Sequence, residues 1–217
     1  MKTPNLTVIY YTCNREDETF EKKIRKNLLK VCGDLPIISV SHKPIKLGKN
    51  ICIGVHTPSN VLLYHQILIG CMEAKTPFVI NVESDFLYPK EYFNFIPPSL
   101  DKIYRYVPIE LMYKYHYGFW FKKYSEGAQI VGRKYLISLL EERLKGLDIF
   151  AADPSYSKFN AYEHIPFETF TGGIAAVTFK TGNSLHKYTA VEHKHSVPEI
   201  DYWGKASDLR KEMFTFE

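Results

Sequence analysis

The sequence predicts an α/β protein whose open, mostly parallel sheet is flanked by helices. Two observations predict it. Strand-like and helix-like segments alternate over the first 85 residues, which is how βαβ units read in a sequence. The run Thr76–Val82 is apolar almost throughout, as expected of a central parallel strand covered on both faces.

Leu6–Tyr11 is rich in β-formers and ends at Thr12-Cys13-Asn14. Asn14 is the expected cap of a helix whose first turn holds Glu16, Asp17 and Glu18. Lys22, Lys23, Arg25, Lys26 and Lys30 follow, and Gly33 stops it, the charge order that a helix dipole favours. Pro36–Val40 reads as the second strand and Asn50–Ile53 as a short third. Thr57-Pro58 opens a second helix that runs to about Lys75, since proline suits the first helical position. Leu62, Gln66, Gly70 and Ala74 recur along it every four residues and leave one stripe of small residues. Thr76–Val82 then delivers the chain to Glu83-Ser84-Asp85.

After Pro97-Pro98 the pattern changes to aromatic strands, Ile103–Val107 and Tyr113–Lys122. A helix over Arg133–Lys145, a loop-rich stretch through Pro166, a strand over Gly173–Phe179 and a short helix around Ala206–Met213 complete the chain. Without a low-complexity linker or a repeat, residues 1–217 read as one domain, with a nucleotide-binding half (1–98) and a C-terminal lobe (99–217). Hydrophobic residues at 45% and charged residues at 24% exclude a disordered or collagen-like chain. No apolar run is long enough to span a bilayer and the start lacks a signal-peptide pattern, so a cytoplasmic protein is expected. Cys13, Cys32, Cys52 and Cys71 are widely spaced and read as reduced, mostly buried thiols. The net charge of +4 permits a polyanionic partner, and 16 Tyr and 14 Phe provide faces on which sugars or bases can stack.

Glu83 and Asp85 stand at i and i+2 on an extended segment and so share one side of the chain. Two anions at the end of a buried strand repel each other and lose solvation. A hard divalent cation such as Mg²⁺ or Mn²⁺ is the simplest remedy, and it would bridge to the phosphates of a nucleotide.

The series Gly70-x-x-x-Ala74, Thr76–Val82, Glu83-Ser84-Asp85 resembles the helix, strand and acidic motif of GT-A glycosyltransferases, especially family-two-like enzymes. The spacing from Ala74 to Glu83 is the same as in that family; Glu at the first acidic position and Gln66 near a usual Asn depart from it. The resemblance implies a nucleotide-sugar donor, most commonly a UDP-sugar. It places the base or ribose at Tyr11 and Thr12, with Gln66 and Gly70 near the nucleotide and the Gly127-Ala128 element facing the donor. It also implies a divalent metal held by Glu83, Asp85 and a C-terminal His. His195 is preferred over His193 within Glu192-His193-Lys194-His195. Asp153, Glu163 and Glu168 are the candidate bases; Glu168 stands out because its apolar neighbours would raise its pKa.

The function expected from residues and resemblance together is metal-dependent transfer of a sugar from a nucleoside-diphosphate sugar to a hydroxyl acceptor. Small proteins of this kind encoded by bacteriophages make a hydroxymethylated base in DNA a candidate acceptor. Lys43, Lys46, Lys49, Lys122 and Lys123 would then meet phosphates, and Tyr113, Tyr115, Tyr117 and Tyr124 an extruded base. Two rivals stand beside this reading. A sugar-phosphate nucleotidyltransferase would usually carry a glycine-rich loop after the first strand, which Tyr10–Arg15 lacks. A non-catalytic sugar or nucleic-acid binder would use the same Lys and Tyr surfaces without turnover.

Overall fold

Residue alternation along the first strand organises the molecule. The computed structural model describes residues 5–183 and 195–214. In β1 (Leu6–Thr12), Val8 and Tyr10 enter one apolar layer while Ile9 and Tyr11 enter another. The strand is buried along its whole length and pairs in parallel with β2 (Ile37–Ser41) and β4 (Phe78–Glu83). Beyond β2 lies β3 (Lys49–Cys52), also parallel. Beyond β4 lie β9 (Gln129–Gly132), β6 (Ile103–Tyr106) and β10 (Phe167–Phe170), giving the order β10-β6-β9-β4-β1-β2-β3. Only β9 is reversed, antiparallel to both β4 and β6. The expected mostly parallel sheet is therefore present.

Helices cover both faces. Leu28 and Val31 of α1 (Glu18–Val31) pack into the layer of Val8, Tyr10 and Ile80. On the other face, α2 (Asn60–Glu73) and α3 (Arg133–Leu144) bury Ile67, Cys71, Leu136 and Leu140 against Ile9 and Val79. Full burial of each such aliphatic side chain stabilises by roughly 1.5–3 kcal/mol. A second sheet, in the order β12-β8-β7-β11-β5, joins β12 (Ser196–Val197), β8 (Phe119–Lys122), β7 (Ile109–Tyr113), β11 (Ala176–Lys180) and β5 (Phe86–Leu87). Its core contains Phe179, which meets Phe20 of α1 edge-on at 5.4 Å. In α4 (Ala206–Met213), Leu209 and Met213 join the same cluster. Both sheets draw strands from both halves of the sequence, so the C-terminal lobe completes the fold rather than standing apart. Among the described residues no helix is long and apolar enough to cross a membrane.

Several boundaries differ from the sequence reading. Asp17, not Asn14, caps α1, accepting from Phe20 N at 3.0 Å. Asn14 instead adopts a positive φ of 52° and its Oδ1 accepts from Lys43 N at 2.8 Å, tying the turn after β1 to the chain after β2. Ser59 caps α2, accepting from Leu62 N. The expected single strand Tyr113–Lys122 is a hairpin, β7 turning into β8, and the strand expected over Gly173–Phe179 runs Ala176–Lys180. The short β9 and β10 were not expected. All four cysteines are free, with Cys32 and Cys71 buried and Cys52 exposed.

Gly70 is explained by packing. A Cβ there would meet Ile9 Cγ2 of β1 at 2.5 Å, so the missing side chain lets α2 lie close on the sheet. Gly70→Val is expected to destabilise the protein by about 1–3 kcal/mol, the usual cost of overpacking a core. Urea unfolding should show a lower midpoint with the slope unchanged.

Candidate active site

Strands β1, β2 and β4 are parallel, so their carboxyl ends open on one edge of the sheet. β1 connects through α1 to β2 on one side, while β3 returns through α2, on the opposite face, to β4 on the other side of β1, which makes a crevice at the switch point where ligands of such sheets bind. A cleft of about 820 Å³, solvent at its mouth included, occupies this place. It is bounded by the turn after β1, the head of α2, the end of β4 and the end of β11.

The turn after β1 is fixed from two sides. Thr12 Oγ1 donates to Glu21 Oε1 of α1 at 2.8 Å, and Arg25 holds the other oxygen of Glu21 at 2.8 Å. From α2, Gln66 Nε2 donates to Thr12 O at 3.0 Å and Val40 O at 3.1 Å. Gln66 is 3% exposed, so it joins β1 to β2 where no water can replace it. Leaving a buried acceptor unsatisfied costs about 1–3 kcal/mol.

At the end of β4 the acidic pair is half-buried and lines the cleft. Glu83 Oε1 accepts from Tyr11 OH at 3.1 Å. Its backbone N–H donates to Tyr88 OH at 3.0 Å, and Tyr88 OH in turn donates to Gly127 O at 2.5 Å. Gly127 lies so close that a Cβ there would collide with the Glu83 carboxyl carbon. Only glycine fits. Burial, and then the charge of Asp85, push the Glu83 carboxyl up to about 7. Burial also raises Asp85, against the opposing pull of Lys180 and then Lys122. Lys122 is itself lowered by burial. A third carboxyl in the cleft, Glu16, is raised to about 6, chiefly by burial and also by Asp85, although Thr181 hydrogen-bonds it.

The structure therefore brings Tyr11, Thr12, Gln66, Glu83 and Asp85 to one cleft, and Gly127 directly behind Glu83. Other candidates lie elsewhere. Gly70 faces Ile9, and Ala128 is buried in the core layer behind the site. Glu168 sits on the outer strand β10, exposed and paired with Lys102 at 2.6 Å, and does not line the cleft. Apolar sequence neighbours did not bury it, because β10 is an edge strand. Asp153 caps a 3₁₀ turn at the surface, and Glu163 is exposed. His195 is exposed beside β12. Glu192, His193 and Lys194 lie outside the described residues.

The donor chemistry of Glu83 and Asp85 fits a hard divalent cation: two oxygen ligands on one strand end, both under-compensated in charge even beside two lysines. Among the described residues no third His, Cys, Asp or Glu completes a metal-binding group with them, so His195 does not join the pair. Sequence reasoning missed Arg15, Glu16, His42 and Lys180 as lining residues. Lys180 was within reach of it, since extending the expected strand one residue past Phe179 places this lysine at a strand end.

Glu83 provides a pH test. A carboxyl whose folded pKa is raised contributes stability that is full below its unfolded value and lost as pH rises through the folded value. The stability of Glu83→Gln relative to wild type should rise between about pH 4.5 and 7 and be flat below, measured by urea unfolding without metal. Taking the difference cancels the opposite contribution of His42 and His65, which burial holds low.

No family model matches the sequence, and no curated protein matches it. Among solved structures, the chain is similar to a glycosyltransferase involved in the glycosylation of the major capsid of PBCV-1, at 13% identity over 77% of this chain and 81% of that one, TM-score 0.46. It is similar to S. aureus TarS 1–349 in complex with UDP-GlcNAc, at 12% identity over 90% of this chain and 63% of that one, TM-score 0.49. It is also similar to the bifunctional IspDF from Campylobacter jejuni, at 13% identity over 77% and 49%, TM-score 0.45. At such identities the likeness concerns the course of the chain and not its chemistry.

Proposed function

We propose that the protein transfers a glycosyl group from a nucleoside-diphosphate sugar to a hydroxyl acceptor. One observation carries this reading: a crowded carboxylate pair ends a buried strand in a cleft at the switch point of a parallel sheet. Asp85 and Glu83 would hold Mn²⁺ or Mg²⁺, which when bound supplies Lewis-acid stabilisation of the leaving diphosphate. The braced turn at Tyr11 and Thr12 receives the nucleoside. In transfer, the bond from the anomeric carbon to the diphosphate oxygen breaks and its electron pair passes to that oxygen. The acceptor oxygen bonds the anomeric carbon and gives up its proton. Glu168 does not line the cleft, so the proton falls to a carboxylate within it, and Glu16 is the one outside the acidic pair. A pKa near 6 suits that role.

The acceptor side is supported by the turn between β7 and β8. Lys114 N donates to Lys180 O at 2.9 Å, so this turn adjoins the cleft. Tyr115 and Tyr117 project from it, 67% and 71% exposed, with Arg210 over the Tyr117 ring at 4.3 Å. Aromatic faces beside cations suit a nucleobase or a sugar, and a hydroxymethylated base in DNA remains the acceptor we propose to test first. Lys49 supports it less, being paired with Glu73 at 2.7 Å, and Lys122 is drawn into the acidic site.

Asp85→Asn should abolish metal-dependent transfer and leave the fold intact, because it removes a carboxylate that burial already disfavours. The measurement is release of UDP from a panel of UDP-sugars with Mn²⁺, together with thermal unfolding; a variant with wild-type turnover would refute the metal role. Nucleotide-sugar hydrolysis by the wild type excludes the pure binder, and pyrophosphate release from a nucleoside triphosphate would favour the nucleotidyltransferase. Transfer to hydroxymethylated DNA that weakens steeply with salt, at a log-log slope of about −0.9 per phosphate contact, would support the DNA acceptor.

A further inference from the structure

Two cations from outside the acidic strand line the cleft, Lys180 and Arg15. Lys180 ends β11, and its backbone is held beside the acidic strand end: Phe179 N donates to Asp85 O at 2.8 Å and Lys180 O accepts from Lys114 N at 2.9 Å. Its ammonium lowers the pKa of Asp85 more than any other charge does. Arg15 lies in the turn after β1, exposed and lining the same cleft, and it forms no ion pair among the described residues. That turn is braced by Gln66 and Glu21, so Arg15 is presented from a fixed base. Both residues come from outside β4.

We propose that Lys180 and Arg15, from two different elements lining the cleft, together hold the diphosphate of the nucleotide, giving the donor a cationic anchor that does not depend on the divalent ion. This rests on the cleft being a nucleotide-sugar site, as proposed above. The chemistry recognised is a nucleoside diphosphate, with Arg15 presenting a planar fork and Lys180 a point charge. The diphosphate grows more negative as the glycosidic bond breaks, so the clamp favours the transition state over the bound donor. Lys180 also competes with a metal for Asp85. Its removal therefore acts in opposite directions on the two ligands.

The test is calorimetric titration of UDP, UMP and Mn²⁺ alone into the wild type, Lys180→Met and Arg15→Gln. In EDTA the wild type should bind UDP more weakly than with Mn²⁺ yet tighter than UMP. Each variant should lose at least tenfold in UDP affinity in EDTA and most of the preference for UDP over UMP. Mn²⁺ alone should bind Lys180→Met as tightly as the wild type or more tightly, a result that a misfolded variant cannot give. UDP binding in EDTA within twofold of wild type in both variants would overturn the clamp, as would wild-type UDP binding seen only with Mn²⁺; both leave the nucleotide-sugar reading standing. No UDP binding to the wild type in either condition would overturn the clamp together with the reading beneath it.

Discussion

Two carboxylates at the end of one buried strand are the constraint on which the site is built. β4 is covered on both faces, so Glu83 and Asp85 emerge from an apolar core directly beside each other. Neither can gain full hydration, and their pKa values rise. The second sheet supplies compensation: Lys180 from β11 stands nearest in effect to Asp85, and Lys122 from β8 nearest to Glu83. Docking the two sheets is thus an electrostatic event at the site as well as a hydrophobic one along Phe20, Phe179 and Phe214.

Three tyrosines, Tyr11, Tyr88 and Tyr92, brace this strand end. Tyr88 stacks on Tyr92 at 4.8 Å, and Tyr92 stacks in turn on Phe170 at 6.1 Å. Their hydroxyls reach backbone groups: Tyr92 OH donates to Asn81 O at 2.7 Å, and Tyr88 OH links Glu83 N to Gly127 O. A phenylalanine could fill the same space without closing those bonds. Tyr115 and Tyr117 are different, because they stand in water at the margin of the cleft.

One wall of the cleft is tied into the fold by directional bonds, and the other is set by strand register. Thr12 spends its hydroxyl on Glu21 and its carbonyl on Gln66, so what it presents to a ligand is a fixed backbone turn rather than a free side chain. Gln66, expected near the nucleotide, earns its place by joining β1 to β2. Lys180 depends on the pairing of β11 with β5 and β7, where a shift of one residue would turn its side chain to the other face.

The sequence by itself determined the alternating order of strands and helices over the first half, the buried character of β4 and the placement of Glu83 and Asp85 at its end. Those features depend on residue periodicity and on neighbours close along the chain, and the acidic pair follows its strand without a gap. Helix starts were legible to within a few residues, since Asn14, Asp17, Thr57 and Ser59 are all competent caps and tertiary contacts chose among them. Only the tertiary structure decided that β9 enters the sheet reversed, that Glu168 falls on an exposed edge, that His195 stays apart from the acidic pair and that Lys180, Arg15 and Glu16 meet at the cleft. These outcomes depend on which segments pair across the chain, with Lys180 nearly a hundred residues beyond Asp85, and a local pattern contains no record of a partner so distant.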